Sequence, residues 1–194
     1  MIELEQVSFR YAEMKTEALQ NFSLKVDRGK CVVLSGGSGC GKTTITRLIN
    51  GLIPGFYPGE LSGTIKIDGE DIAGREPHEL ATQIGSVFQN PRTQFFNTDT
   101  DSEIVFGMEN CGISYEEMHG RYEQTVKNLH LEDLCGRDIF ALSGGEKQQI
   151  AFGSIYALSP EIYVLDEPSA NLDRIATLRL RNLLLQLKNS GKTL

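Results

Sequence analysis

Between Gly36 and Thr43 the chain runs Gly-Gly-Ser-Gly-Cys-Gly-Lys-Thr. Ahead of it lies a short apolar run, Lys30 to Ser35 (KCVVLS), which reads as a buried strand. After it, Thr44 to Gly51 reads as a helix that stops at a glycine. Strand, glycine-rich turn and helix is the setting in which G-x-x-x-x-G-K-[ST] forms a phosphate-binding loop. The chemistry accounts for the residues. Successive backbone N–H groups have to point at phosphate oxygens, so side chains must be absent. The helix N-terminus adds roughly half a positive charge where the phosphates lie. Lys42 supplies a full charge to the terminal phosphates, and the Thr43 hydroxyl suits Mg²⁺. A glycine-rich turn without ligand is the alternative, and the loop alone says no more than nucleoside triphosphate.

At 194 residues the chain fits one domain, or one domain with a small subdomain. The formal net charge is −7, which argues against the basic face that nucleic acid requires. Cys31, Cys40, Cys111 and Cys135 are far apart, so neither a metal cluster nor a disulfide framework is indicated. The amino-terminal stretch is charged from Glu3 and is no signal peptide. No apolar run approaches the roughly 18 residues that a spanning helix needs.

Ile2 to Phe9 alternates apolar and polar residues and predicts a half-buried strand. Asn21 to Val26 and Thr64 to Ile67 predict two more, the latter followed by a hairpin signal at Asp68-Gly69. These three form a small antiparallel sheet beside the phosphate loop. Tyr11 follows the first strand and is either a partly buried aromatic or a ring stacked on a nucleotide base. Pro54 to Ser62 is rich in Gly and Pro and reads as a loop. A short helix over Glu76 to Gln83 and a strand over Ile84 to Phe88 come next, then loop to Asp101. Ser102 to Asn110 and Ser114 to Leu129 read as helices.

The second half narrows the function. Leu142-Ser143-Gly144-Gly145-Glu146 opens an apolar-periodic helix, with Ser143 and Glu146 spaced as a capping box. A plain cap needs no glycine pair, and Gly144-Gly145 would let another molecule, such as an anion, approach the helix N-terminus. Ile162 to Leu165 is a short apolar strand that ends in Asp166 and Glu167. Acids at the C-terminal end of such a strand lie where α/β sheets bind ligands. Asp166 can hold Mg²⁺ and Glu167 can accept a proton from attacking water, although two acids could also merely cap the next helix.

The ordered set of phosphate loop, Gln89, LSGGE, apolar-Asp-Glu and Ser169-Ala170-Asn171-Leu172-Asp173 resembles the ATPase domain of ABC transporters over almost the whole chain. The resemblance implies an α/β fold. It has a P-loop NTPase core with a parallel sheet, a small antiparallel β subdomain, and a helical subdomain carrying the signature motif within about residues 85–160. It implies that ATP and Mg²⁺ are the cofactors. Tyr11 then matches the aromatic A-loop residue, and Gly36, Gly37, Ser38, Gly39, Cys40, Gly41, Lys42, Thr43 and Thr44 bind ATP. Thr43, Gln89 and Asp166 serve Mg²⁺, while Glu167, Gln89 and Lys42 carry catalysis. Ser143, Gly144, Gly145 and Glu146 belong to the signature that closes on the ATP of a second ABC subunit, and Asn171 and Asp173 lie in the D-loop. Head-to-tail dimerisation, homomeric or heteromeric, follows.

Local sequence around Ser62–Ile72 and Val87–Asn110 resembles the ATPases of energy-coupling-factor importers for vitamins or cobalt and nickel. That likeness implies a cytoplasmic protein, peripheral on the inner face of the membrane. It implies an integral membrane partner docking after Gln89, with Glu103 or Glu109 offering charge, and no nucleic acid. Lys192-Thr193-Leu194 reads as the start of another strand. By the resemblance that strand is central, between those of the phosphate loop and of Asp166, and a switch histidine follows it. None of His78, His119 and His130 occupies that position, so residues 1–194 are expected to form one ABC ATPase domain that is incomplete at its C-terminus. A non-hydrolysing ATP-binding module and a soluble non-transport ABC ATPase are the competing expectations.

Overall fold

The computed structural model describes residues 1–194. Strands β1 (Ile2–Tyr11), β2 (Leu19–Val26), β3 (Gly59–Ile67) and β4 (Glu70–Asp71) form an antiparallel sheet in the order β2-β1-β3-β4. Helices α1 (Lys42–Ile49) and α2 (Pro77–Leu80) accompany it. Strand β5 (Ile84–Val87) pairs in parallel with β6 (Ile162–Leu165), in register from Ile84↔Ile162 to Val87↔Leu165. Helices α3 (Thr100–Asn110), α4 (Tyr115–Leu129) and α5 (Gly144–Leu158) lie between those two strands in sequence, and α6 (Arg174–Asn189) follows β6.

Three apolar cores hold these layers. Leu4, Val7 and Phe9 of β1 pack with Ile45 and Leu48 of α1, Ile84 of β5 and Ile162 of β6. Ile104, Met108, Leu131 and Ile150 join α3, α4 and α5. Phe152, Tyr163, Leu183 and Leu187 fasten α5 and α6 to the parallel strands. Gly85 makes the α5 contact possible, because a Cβ there would lie 2.3 Å from Ile155 Cγ2.

The predicted hairpin at Asp68-Gly69 forms, both residues taking positive φ (52° and 86°) as a two-residue type I′ turn requires. Around it the Arg28 guanidinium, 2.9 Å from Oδ1, and the amino terminus hold the Asp68 carboxyl down at about 2. A carboxyl depressed on folding stabilises the fold above its unfolded value near 3.9 and loses that contribution as pH falls through its folded value. Asp68→Asn should therefore cost about 1–2 kcal/mol at neutral pH, after allowance for solvent screening. In chemical denaturation at stepped pH, the variant should also lose less stability than the parent between about pH 4 and 2.

Two sequence-based expectations are corrected. Gly59 to Leu61 is strand, not loop, because it pairs with Phe9–Tyr11 of β1. Gly59 allows this: a Cβ there would stand 2.3 Å from the Arg10 carbonyl oxygen. Lys30 to Ser35 is extended but forms no ladder-paired strand. Its pairing is limited to Val32 N donating to the Leu194 carbonyl at 2.9 Å and Leu194 N donating to that of Lys30 at 3.0 Å. Further along, Val33 is 83% exposed. The expected start of a strand at Lys192–Leu194 is present, since Thr193 bridges Ile162 in parallel while Leu194 reaches the other side. A cavity of about 360 Å³ lies between Cys31–Leu34 and β6, walled mainly by apolar side chains, Leu194 among them.

Candidate functional site

Helix α1 begins at Lys42, directly after the glycine-rich turn. Gly41 turns the chain with φ 95°, and a Cβ there would lie 2.8 Å from both the Ala18 carbonyl oxygen and Leu19 Cδ2. Glycine is thus required on two counts. Gly37 and Gly39 are different: nothing stands within 4 Å of where their Cβ would be, so this face of the loop is open. Lys42 Nζ donates to the carbonyls of Gly36 at 2.9 Å and Gly37 at 2.8 Å. Its ammonium is therefore already bent back onto the loop, where an arriving phosphate would meet it.

The two parallel strands bring in the rest. Val87 and Leu165 are register partners, so the residues two beyond each, Gln89 and Glu167, emerge side by side. Gln89 Nε2 donates to Glu167 Oε2 at 3.0 Å. Glu167 holds φ 49°, a left-handed backbone that side-chain-bearing residues rarely adopt and that clusters at functional sites. Asp166 is buried, its N–H donating to the Val87 carbonyl at 2.9 Å. Thr43 Oγ1 donates to Asp166 Oδ2 at 2.8 Å. A hydroxyl and a carboxylate converging beside a phosphate loop are the hard oxygen donors that Mg²⁺ takes, so the residues fit that ion.

Tyr11, Ser38, Gly39, Gly41, Lys42, Thr43, Thr44, Gln89 and Glu167 line one cleft of about 740 Å³. Asp166 lies on the neighbouring cavity, which Lys42 and Glu167 also reach. Tyr11 meets the first of its two sequence readings. Its ring is half-buried edge-on against Phe9, centroids 4.8 Å apart at 81°, and it also faces the cleft. Arg47 and Tyr57 share this lining. They were not foreseen, although Arg47 stands on the same helical face as Thr43 and Thr44, a spacing legible once α1 is placed.

Ser143, Gly144, Gly145, Glu146, Asn171 and Asp173 lie off this cleft. Ser143 caps α5 as the spacing predicts: its Oγ accepts from Glu146 N at 3.3 Å, and Glu146 Oε2 accepts from Ser143 N at 2.7 Å. Those bonds, helped by Arg137, hold the Glu146 carboxyl below the usual range. The glycine pair needs a correction. A Cβ on Gly145 would stand 3.0 Å from the Asn171 carbonyl oxygen, so this chain's own Asn171 uses part of the bare surface that was read as room for another molecule. Asp173 Oδ1 accepts from Ala176 N at 2.7 Å and caps α6.

The segment after Gln89 is also partly corrected. Glu103 offers no outward charge. It is 3% exposed, and its Oε2 accepts from the backbone N–H groups of Phe96 at 3.0 Å and Asn97 at 2.8 Å. Gln94 likewise turns inward, donating to the Ser86 carbonyl at 3.2 Å. Glu109 is exposed. So is Phe96, which is stacked on Phe106 with centroids 4.9 Å apart.

The chain resembles known proteins over most of its length. The ABC transporter family profile matches residues 19–170. An ABC transporter ATP-binding protein of Treponema denticola is 52% identical over 194 residues, covering all of this chain but only 40% of the relative. The chain thus spans less than half the length of that relative. The energy-coupling factor transporter ATP-binding protein EcfA1 of Ligilactobacillus salivarius is 37% identical over 99% of this chain and 66% of its own length. Among solved structures, a dimeric ATP-binding cassette in a post-hydrolysis state bound to ADP and phosphate superposes with TM-score 0.86 at 26% identity, over 100% of this chain and 85% of its own. With this match running from β2 through the Asp166-Glu167 pair, the chain belongs to the ABC transporter family, among its ATP-binding proteins.

Proposed function

We propose that this chain binds Mg-ATP and hydrolyses it in a head-to-tail dimer that drives a membrane importer of the energy-coupling-factor kind. One observation carries the reading. The loop, Thr43, Gln89 and Glu167 line one cleft and Thr43 bonds to Asp166 beside it, while the capped N-terminus of α5 at Ser143 lies off that cleft. A helix N-terminus is an anion site, and here it has no phosphate loop of its own chain to serve. A second copy supplies one in two-fold related fashion.

Within each site Lys42 and the loop N–H groups hold the phosphates. Thr43, Gln89 and Asp166 would hold Mg²⁺, which would supply positive charge beside the phosphates. Glu167, aligned by Gln89, accepts the proton of the attacking water. Exposed Phe96, stacked on half-buried Phe106, and the exposed Glu109 are suited to a helix of the membrane component. EcfA1, the relative from an energy-coupling factor transporter, supports the importer assignment.

Sedimentation of Glu167→Gln with and without Mg-ATP tests the dimer. Removing the base while keeping the shape should trap the ATP-bound pair, so a nucleotide-dependent shift from monomer to dimer is expected. Ser143→Arg should abolish that shift while ATP still binds. A monomer at saturating Mg-ATP would overturn the assignment.

A further inference from the structure

The nucleotide cleft has a second wall beyond Tyr11. A ladder of side chains climbs α1 away from the phosphate loop. Thr44 follows Thr43 directly, and its Oγ1 lies 3.2 Å from the Tyr11 hydroxyl. Arg47 stands three residues on, on the same face, and donates from Nη1 to that hydroxyl at 3.0 Å. Its guanidinium carbon is 3.9 Å from the Tyr57 ring centroid, well inside cation–π range. Tyr57 is tied down in turn, its N–H donating to the Leu52 carbonyl at 2.9 Å just past the helix. Tyr11, Arg47 and Tyr57 all line the cleft that holds Lys42 and Thr43.

This arrangement suits the end of the ligand that carries no phosphate. A guanidinium fixed at its edge by a hydroxyl and against a ring is a planar platform, and nucleobases stack on such planes as they do on aromatic rings. A lysine ammonium would carry the same charge without the plane. Resting on the reading of the cleft as an ATP site, we propose that Arg47 contacts the base of the bound nucleoside triphosphate. Tyr57 is the residue that positions it. The phosphate loop then fixes one end of the nucleotide and the Tyr11–Arg47–Tyr57 group the other. Thr44 is the link between them, next to Thr43 in sequence and 3.2 Å from the Tyr11 hydroxyl.

Titration calorimetry with Mg-ATP and with Mg-tripolyphosphate, which has neither base nor ribose, separates this role from a structural one. Tyr57→Ala and Arg47→Lys should each weaken ATP about ten-fold, the scale of one base-stacking contact. Tripolyphosphate affinity should stay unchanged in both, and Tyr57→Phe should restore ATP binding. Unchanged ATP affinity in Tyr57→Ala and Arg47→Lys would overturn the proposal. So would parallel loss of ATP and tripolyphosphate, which would make Tyr57 a support for α1 alone. If the parent protein binds neither compound, the ATP reading of the cleft falls, and this proposal with it.

Discussion

Lys42→Ala should remove nearly all of the thermal stabilisation that Mg-ATP confers on this protein. At a ligand concentration about 100 times the dissociation constant, binding stabilises the native state by roughly 2.7 kcal/mol. For a chain of this size that raises the melting temperature by about 5–11 °C. In the proposed site the lysine would give charge-assisted hydrogen bonds to the phosphates, each worth about 1.5–3 kcal/mol. Losing about 2.7 kcal/mol raises the dissociation constant roughly 100-fold. At the same ATP concentration the remaining stabilisation is then about 0.4 kcal/mol, or some 1–2 °C. The nucleotide-free variant should melt close to the parent, because the Lys42 bonds to Gly36 and Gly37 are exposed. Differential scanning fluorimetry of both proteins, with and without Mg-ATP, reads all four states. An undiminished shift in the variant would mean that the loop does not carry the phosphates.

The parts of this site that were legible in the sequence are those where the backbone itself does the work. Gly41 has to be glycine for two independent reasons, and Ser143 with Glu146 forms a cap from spacing alone. That Asp166 and Glu167 follow directly on β6 was legible because a short apolar strand has an evident end. What the sequence could not show depends on neighbours distant in the chain. Lys30 to Ser35 has a strand's composition, but its pairing depends on a partner distant in the sequence, as its bonds to Leu194 show. Glu103 looked like a surface group because it is charged. It instead satisfies the backbone N–H groups of Phe96 and Asn97. Arg47 and Tyr57 are separated by a Pro- and Gly-rich loop whose course no local periodicity predicts.

Ile104→Ala should be the most destabilising of the substitutions considered for this fold. Ile104 of α3 is completely buried and packs with Met108, Leu131, Leu142 and Ile150, so it ties α3 to α5. Truncation loses the transfer free energy of the removed carbons and leaves a cavity that its neighbours fill only in part, a cost of about 2–5 kcal/mol. For a chain of this size that lowers the melting temperature by about 4–20 °C. Ile104→Val removes a single methylene and should cost about 0.5–1.5 kcal/mol. Ile175 of α6 is 64% exposed, and Ile175→Ala should change stability by no more than about 0.5 kcal/mol. Chemical denaturation of the three variants beside the parent orders them. Equal losses in Ile104→Ala and Ile175→Ala would mean that α3 is not packed on α5 as described.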